Sequence, residues 1–173
     1  MSKIKKFANT QSLKSIYYAT IYPHLTYGIS CWGGVPISRR ETLIKLQKRS
    51  IRYISKSPRL AHTSDLFFKL NILKLQEVYT LRVSIIMYQI NFGSWIGDLN
   101  MKKITTIHNY ETRLSSNENY CNPQVSTNMG KNSFTYVGPK VWAGIDIEVK
   151  KLPLKEFKKT FAKTLIEQYK LTS

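Results

Sequence analysis

Acidic residues are scarce in this chain, which has 10 Asp and Glu against 27 Lys and Arg and a net charge of +17 at pH 7. Such an excess favours an anionic partner, either nucleic acid or an anionic membrane surface. The excess is also uneven, because residues 1–59 hold twelve Lys and Arg against the single acid Glu41. We therefore expect the binding surface in the first third of the chain, with nucleic acid rather than a membrane as its partner.

Cysteine and long apolar runs are also rare. Cys31 and Cys121 are the only cysteines, and neither belongs to a CxxC or Cys/His cluster, which excludes a disulfide framework and a structural zinc site. No run of eighteen apolar residues occurs, and the first residues lack the apolar core of a signal peptide. These absences predict an intracellular protein, nuclear or cytoplasmic. A short basic opening, Lys3, Lys5 and Lys6, is a weak nuclear-import signal.

The motifs of common enzyme classes are missing as well. No HxD or HxxxH pattern accompanies the three histidines, His24, His62 and His108. The sequence has no glycine-rich phosphate loop and no Asp-Asp pair of the kind that two-metal polymerases use, since its acids, Asp65, Asp98 and Asp146 among them, are isolated. We therefore predict that the chain is not an enzyme, needs no cofactor and takes no small-molecule substrate.

What the sequence does contain is a strongly two-faced segment from Ser38 to Arg59, which predicts a helix over residues 38–57. Ser38 followed by Glu41 has the spacing of a capping box, in which each side chain bonds the backbone of the other. At 100° per residue the apolar side chains fall on one face, Leu43, Leu46, Ile51 and Ile54. Pro58 ends the pattern, because the residue before a proline is disfavoured in the helical conformation.

The opposite face of this helix is basic. A row of five cations extends along roughly 16 Å of the helix, and its spacing matches a chain of phosphates. These cations are Lys45, Lys48, Arg49, Arg52 and Lys56. A solvated surface is the ordinary alternative. We expect the helix to leave these cations unpaired, however, which favours an external anion. With the arginines at the helix ends, the predicted nucleic-acid-binding residues are Arg39, Arg40, Lys45, Lys48, Arg49, Arg52, Lys56 and Arg59.

The remaining periodicity predicts a mainly α fold, a bundle of four to five helices. Asn9 or Thr10 caps a first helical stretch, which is either one helix kinked at Pro23 or two abutting helices and which ends at Gly33-Gly34. Thr63 or Ser64 caps a short helix that ends at Asn71, and a longer helix follows from about residue 73 to 92. The aromatic residues of the first helix are expected mostly in the core, and His24 partly buried: Tyr17, Tyr18, Tyr22, Tyr27 and Trp32.

The second half of the chain is more polar. We predict three segments: a basic helical bundle over 1–93, a long polar loop or arm over 94–133, and a carboxy-terminal segment over 134–173. In the last segment, Phe134 to Val137 alternate like a short strand, Gly138-Pro139 predicts a turn, and Lys140 to Ala143 begin a short helical segment. A final helix over 154–171 carries an apolar stripe that should pack back on the bundle, Leu154, Phe157, Phe161, Leu165 and Tyr169.

Several short motifs follow one another along the chain. They are Tyr18-x4-Pro23-His24-Leu25-Thr26-Tyr27-Gly28-Ile29-x2-Trp32-Gly33, Leu46-Gln47-Lys48-Arg49-x-Ile51-Arg52, Leu60-Ala61-His62-Thr63, Leu70-Asn71-Ile72-Leu73-Lys74-Leu75, His108-x-Tyr110-x-Thr112-Arg113 and Gly130-Lys131-x-Ser133-Phe134-x-Tyr136-x-Gly138-Pro139-Lys140-x-Trp142. Their order resembles the region just downstream of the polymerase core in non-LTR (LINE-type) retrotransposon reverse transcriptases, and the similarity covers roughly residues 10–170. After the tryptophan this chain has Ala143-Gly144-Ile145-Asp146, where such polymerases commonly have Asn-x-Leu-Pro.

The resemblance implies a thumb-like helical region that helps to hold a template-primer. The catalytic part of such a polymerase, with its metal-binding aspartates, is then expected upstream, which would make this chain a non-catalytic fragment of a longer element. The implied partners are RNA or an RNA/DNA hybrid, bound without sequence specificity, and an upstream polymerase domain. No set of Asn, Gln or Arg is placed to read base edges, which agrees with non-specific binding.

Two alternatives stay open. A helical protein-interaction module would use the same bundle to dock on an acidic partner or on the upstream polymerase domain, and exposed apolar residues on the last helix would favour it. The tyrosine-rich segment from Ser15 to Trp32 is also similar to the profile of the N-terminal domain of AlkB homologue eight, an RNA-modifying dioxygenase and methyltransferase. The residues for either of those reactions are absent from this sequence.

Overall fold

The computed structural model describes residues 7–97, 99, 101–106 and 118–170, and over these residues the chain is mainly helical. The predicted mainly α class is therefore confirmed. In chain order the helices are α1 (Thr10–Ile16), a π-helical turn (Tyr17–Ile21), α2 (Tyr22–Thr26), α3 (Ile29–Trp32), α4 (Ile37–Ile54), α5 (Ser64–Leu70), α6 (Leu75–Asn91), a 3₁₀ turn (Ile104–Thr106), α7 (Asn128–Lys131), α8 (Phe134–Ala143), α9 (Ile147–Lys150), α10 (Leu154–Glu167) and a last 3₁₀ turn (Gln168–Lys170).

Internal contacts divide the chain into two compact units. The first comprises Met1–Tyr79 and Ala162–Ser173, and the second comprises Thr80–Phe161. Both boundaries fall inside helices, α6 and α10, so they differ from the three segments predicted from composition. Composition follows where polar residues lie along the chain, whereas contacts bring together parts that are distant in sequence.

The first helical stretch begins and bends as its sequence predicts. The side chain of Asn9 caps α1 by accepting a hydrogen bond from the Ser12 N–H at 2.7 Å. Pro23 has no N–H to offer to the preceding turn, and the chain passes that point through the π-helical turn, in which the Tyr22 N–H bonds the Tyr17 carbonyl. The kink therefore takes the form of abutting helical segments, with Gly33 capping the last of them.

The basic helix α4 begins and ends differently from the prediction. Pro36, with extended ψ, precedes its first residue Ile37, and no side chain caps the helix. Ser38 therefore lies inside the first turn, and the capping box with Glu41 was wrong. The helix ends at Ile54, where Lys56 adopts a left-handed φ of 57° and the N–H groups of Lys56 and Ser57 bond back to carbonyls of the last turn. This is a Schellman ending without the usual glycine.

The amide side chain of Gln47 joins three parts of the first unit and is only 2% exposed. Its Nε2 donates to the Tyr17 hydroxyl at 3.1 Å and to the Leu73 carbonyl at 2.9 Å, and its Oε1 accepts from the Leu75 N–H at 2.9 Å. The buried apolar side chains of the first unit include Leu13, Leu25, Ile29, Ile51, Ile54, Phe67 and Ile72. Gln47 therefore holds α4 at a fixed rotation in the core.

The face that α4 turns to the core is correspondingly different from the predicted one. Ile51 and Ile54 are fully buried as expected, but Leu46 is 49% exposed and its neighbour Gln47 takes the buried position. The apolar stripe predicted from periodicity was therefore wrong at Leu46, because the polar amide finds three backbone and hydroxyl partners that leucine could not bond.

In the second unit, residues 134–143 form the single helix α8. The predicted strand at 134–137 and turn at 138–139 were wrong, whereas the helical segment predicted at 140–143 is the last part of this helix. Gly138 and Pro139 are buried inside it. A Cβ at position 138 would lie 2.7 Å from the Met87 sulfur, so glycine allows the close approach of the two helices. Four alternating residues do not carry enough periodicity to distinguish a strand from a helix, and here the helix prevails.

The last helix confirms its predicted stripe. Phe157, Phe161, Leu165 and Tyr169 are buried, Leu154 is half-buried, and the lysines around them are exposed: Lys155, Lys158, Lys159 and Lys163. Within the second unit, the Phe157 ring packs 4.8 Å from Tyr88 and 6.2 Å from the fully buried Trp142. Within the first unit, the Tyr169 hydroxyl accepts from the Lys74 N–H at 2.9 Å.

The described part of the polar stretch 94–133 is largely irregular, apart from the short 3₁₀ turn, α7 and an isolated bridge between Lys103 and Tyr120. Asn119 and Tyr120 are buried, which the polar composition did not indicate. The Nζ of buried Lys150 donates to Asn119 Oδ1 at 3.1 Å and lies 5.0 Å from the Trp142 ring. Several residues named above lie outside the described residues: Lys3, Lys5, Lys6, Asp98, His108, Tyr110, Thr112, Arg113 and Leu171.

The Gln47 contacts generate a prediction about stability. Replacing Gln47 with Leu leaves the Leu73 carbonyl, the Leu75 N–H and the Tyr17 hydroxyl without this partner, so the free energy of unfolding should fall by about 3 kcal/mol. Urea denaturation measures the loss. The same change at the exposed Gln11 is the control, and it should stay within about 0.5 kcal/mol of the unmodified chain. Equal losses in both variants would contradict a structural role for the Gln47 amide.

A second prediction concerns alkaline pH. Burial raises the pKa of Tyr17 from 10.0 to about 12. The unfolded chain therefore loses this proton first, so the contribution of Tyr17 to stability is present below pH 10.0 and is lost as the pH rises to about 12. Tyr17→Phe should make the decline in unfolding free energy shallower in that range, by up to about 1.4 kcal/mol per pH unit. Urea midpoints at several pH values measure the slopes, with Tyr27→Phe at an exposed site as control, and identical slopes in the Tyr17 variant and the unmodified chain would refute the assignment.

Candidate nucleic-acid interface

A groove of about 830 Å³ in the first unit collects much of the predicted basic row. It lies between the second half of α4 and the loop that follows that helix. Its lining residues are Lys45, Arg49, Arg52, Tyr53, Ser57, Arg59 and Leu60. Within the part of the chain that the structure describes, four cations and no acidic side chain line this groove, which we call the basic groove.

Helix α4 supplies one wall because the spacing of its residues places them on one side. Positions 45, 49, 52 and 53 follow the i, i+4, i+7, i+8 pattern of a single helix face. The rotation that Gln47 fixes turns this face outwards. The basic groove is thus a direct consequence of the way in which α4 is held in the core.

The loop after α4 forms the other wall and is tied to the helix. Pro58 to Ala61 make a turn in which the Ala61 N–H donates to the Pro58 carbonyl at 3.1 Å. The central residues of this turn are Arg59 and Leu60, both exposed. Arg52 Nε donates to the Ala61 carbonyl at 2.8 Å, which fastens the turn to the helix.

Arg49 and Arg52 are both anchored through Nε by a neutral acceptor. Arg49 Nε donates to the Tyr53 hydroxyl at 2.9 Å, and the guanidinium carbon lies 5.6 Å from the centre of the Tyr53 ring. Arg52 uses the Ala61 carbonyl in the same way. In the described residues no hydrogen bond or ion pair occupies the terminal amino groups of either arginine. Each guanidinium therefore keeps both terminal amino groups as hydrogen-bond donors, and its full charge, for an anion in the groove.

Lys45 corrects the expectation that the whole row is unpaired. Its Nζ lies 2.8 Å from a carboxylate oxygen of Glu41, one helical turn earlier. The hydrogen bond from Lys45 lowers the pKa of the Glu41 carboxyl. Both side chains are exposed, and water and salt weaken such a pair. Lys45 is therefore available to a competing phosphate, although less freely than the arginines.

Arg40 is the clearest correction to the predicted binding set. Its side chain is 6% exposed, one terminal amino group donates to Gln76 Oε1 at 2.6 Å, and its Nε is buried without a hydrogen bond in the described structure. Burial lowers the pKa of its guanidinium. Arg40 is therefore a structural residue, and helical periodicity missed this because the helix rotates with Gln47 inwards.

The remaining predicted residues lie outside the basic groove. Arg39, Lys48 and Lys56 are exposed, but they do not line it. Lys56 also lies beyond the end of α4, where its backbone adopts the left-handed conformation. Four of the eight predicted residues, Lys45, Arg49, Arg52 and Arg59, are thus brought together, while Lys48 and Arg39 only add positive charge on the exposed surface of α4.

Sequence reasoning also missed three lining residues, Tyr53, Ser57 and Leu60. Tyr53 had one signal, since it lies four residues after Arg49 and so within reach of it on a helix. Leu60 had none, because a leucine after Pro58-Arg59 normally suggests a core residue.

The aromatic residues of the first helical stretch divide between core and surface. Tyr17 is fully buried as expected, and Tyr22 and Trp32 are half-buried, whereas Tyr18 and Tyr27 are exposed. Tyr27 lies before Gly28, whose left-handed φ of 60° completes a tight turn that points its ring outwards. His24, predicted to be partly buried, is exposed.

The described residues offer neither a metal site nor a membrane-spanning helix. Among the described His, Cys, Asp and Glu side chains, no three lie close enough together to hold a metal ion. Nor is any helix in the described ranges both long and apolar enough to cross a membrane. Comparison of the chain with models of protein families, with curated proteins and with solved structures finds no match.

The burial of Arg40 generates a prediction. Its cation has no acidic partner among the described residues, so replacement by Met, of similar length, should leave the free energy of unfolding unchanged or raise it by about 1 kcal/mol. Chemical denaturation measures this change, with exposed Arg39→Met as the control for losing one charge. Nucleic-acid binding by the Arg40 variant should match that of the Arg39 variant. Much weaker binding in the Arg40 variant would mean that this guanidinium reaches the ligand after all.

Proposed function

We propose that the chain binds the phosphates of nucleic acid in the basic groove, without sequence specificity. The single observation that carries this proposal is the groove itself, in which four cationic side chains line one concavity and two arginines are held with their terminal N–H pairs unoccupied. Anchored guanidinium groups bind phosphate oxygens through two parallel hydrogen bonds and lose little side-chain entropy on binding.

The net charge of +17 supports the same proposal. A field of one sign attracts a polyanion from a distance and speeds its association. Phosphate contacts fix position on the strand but read no bases. The expected ligand is therefore RNA, DNA or their hybrid, and the expected binding mode is electrostatic.

We further propose that this binding serves a polymerase of the non-LTR retrotransposon type, as a non-catalytic accessory segment that helps to hold the template-primer. The similarity in motif order supports this. Three residues of the shared motifs are buried, Gln47 in the first unit and Gly138 and Trp142 in the second, as expected of residues that maintain a fold. An upstream polymerase domain is then the proposed protein partner.

A helical protein-interaction module is the second candidate. The apolar stripe of the last helix, which would have favoured it, is buried. Another observation does favour it, because Phe92, Trp95 and Ile96 expose apolar surface directly after α6 in the second unit. If this surface were the functional one, the chain would self-associate or bind a protein, and its response to salt would be weak.

The salt dependence of binding tests the proposed function. Four phosphate contacts predict a slope of about −2.8 for log affinity against log salt on a single strand. Changing Lys45, Arg49 and Arg59 to Gln should reduce the slope to about −0.7 and weaken binding at least tenfold at about 50 mM salt. Fluorescence anisotropy with labelled RNA, single-stranded DNA and a hybrid, between about 50 and about 200 mM salt, measures both quantities.

The matched control changes Lys155, Lys158 and Lys159 to Gln. These three lysines are exposed on α10 and do not line the basic groove, so the net charge falls equally while the groove stays intact. This variant should keep the steep slope. Equal losses in the two triple variants would assign the binding to overall charge, and a flat salt response in the unmodified chain would exclude phosphate binding and favour the protein-interaction module.

A further inference from the structure

We infer that the basic groove is built for a single strand, with phosphates on the arginines and an unstacked base lying against Leu60 and the Tyr53 ring. This inference rests on the proposed function, because it names the form of nucleic acid that the same groove takes. It starts from the apolar part of the lining, which phosphate binding alone does not explain.

Leu60 is the first element of the argument. It lines the groove and is nevertheless 92% exposed. The turn from Pro58 to Ala61 holds it beside Arg59, and the bond from Arg52 to the Ala61 carbonyl fixes that turn against α4. The protein thus presents an apolar side chain rigidly to solvent at the edge of a cationic groove.

Tyr53 is the second element. Its side chain is half-buried, and its hydroxyl is engaged by Arg49, so the ring is held at a fixed orientation in the groove lining. An aromatic ring beside cations is the arrangement by which proteins stack the bases of single strands irrespective of sequence. Arg49 therefore has two tasks, because it both offers charge to a phosphate and orients the ring.

A duplex would make poor use of this lining. In a double helix the base faces are stacked inside, and a protein meets sugars, phosphates and the base edges in the grooves. Leu60 and Tyr53 would then have no base face to contact, and phosphate oxygens placed against them would lose hydration without a compensating hydrogen bond. A single strand offers phosphates to the cations and base faces to the apolar side chains at the same time.

The size of the groove agrees with this. At about 830 Å³ it lies near the upper end of the roughly 300–1,000 Å³ range of small-ligand pockets. A volume of this size is sufficient for a short stretch of nucleotides. Single-stranded RNA and single-stranded DNA share this chemistry.

The experiment separates base contacts from phosphate contacts by using an abasic strand. Anisotropy is measured for a labelled thymidine oligonucleotide, a uridine oligonucleotide, an abasic DNA strand of the same length and a DNA duplex, each at the same series of salt concentrations between about 50 and about 200 mM. The test variant is Leu60→Ala, whose side chain is too exposed to support the fold, and thermal unfolding checks that it remains folded. The matched control is Ile37→Ala, an apolar residue of α4 that is 66% exposed and does not line the groove.

We expect the unmodified chain to bind the thymidine strand more tightly than both the abasic strand and the duplex. Leu60→Ala should weaken binding to the thymidine and uridine strands by about tenfold, leave the abasic strand within about twofold, and keep the salt slope. Leu60→Phe should keep the base-dependent binding of the unmodified chain or strengthen it. A preference between the thymidine and uridine strands would identify DNA or RNA as the natural source of the ligand.

Two results would overturn the inference while leaving the proposed function intact. The first is steep salt dependence with equal affinity for the thymidine and abasic strands. The second is a Leu60→Ala effect that is the same on the duplex as on the thymidine strand, or no larger than that of Ile37→Ala. A flat salt response on every strand would instead defeat the proposed function, and the inference with it.

Discussion

The buried amide of Gln47 is the interaction on which the rest of the first unit depends. It bonds the Tyr17 hydroxyl, the Leu73 carbonyl and the Leu75 N–H, and so connects the first helical stretch, α4 and the start of α6. A buried amide bonds only where its partners lie, whereas an aliphatic side chain accepts many orientations. The amide therefore fixes the rotation of α4 about its axis. That rotation brings Arg40 into the interior, turns Leu46 outwards and places Lys45, Arg49 and Arg52 on the exposed side.

The basic groove illustrates how arginines can be held in place without neutralising them. An acidic neighbour would also order a guanidinium, but it would cancel part of the charge that a phosphate needs. Arg49 and Arg52 are ordered by a hydroxyl and a backbone carbonyl, each through Nε, and keep their terminal donors. Lys45 shows the opposite arrangement, since Glu41 both orders it and competes with a ligand. The arginines are therefore expected to contribute more to binding than the lysine does.

Much of the fold could be predicted from the sequence, because helix periodicity and caps are local signals. The cap at Asn9, the helix end at Asn71 and the stripe of Phe157, Phe161, Leu165 and Tyr169 follow from them directly. The errors arise where a tertiary contact overrides a local signal. Residues 134–137 alternate like a strand, but Gly138 lets this segment pack as a helix against Met87. The helical position and charge of Arg40 predict an exposed residue, and only its tertiary contacts, such as the hydrogen bond to Gln76, account for its burial. Leu60 became part of the groove because of a turn whose position depends on Arg52, which no local pattern encodes.

The same arrangement gives salt two opposing effects on this protein. Lys45, Arg49 and Arg52 lie three and four residues apart, and like charges at these spacings repel each other on a helix. This repulsion destabilises the folded chain more than the unfolded chain, because the charges are farther apart when the chain is extended. Screening therefore relieves the free protein at the same time as it weakens the attraction for a phosphate. A bound phosphate relieves the repulsion without screening, because it places negative charge between the cations. An anion that binds in the groove of the folded chain should therefore stabilise the folded state by an amount set by its affinity and concentration, and the relief of this repulsion is part of that affinity.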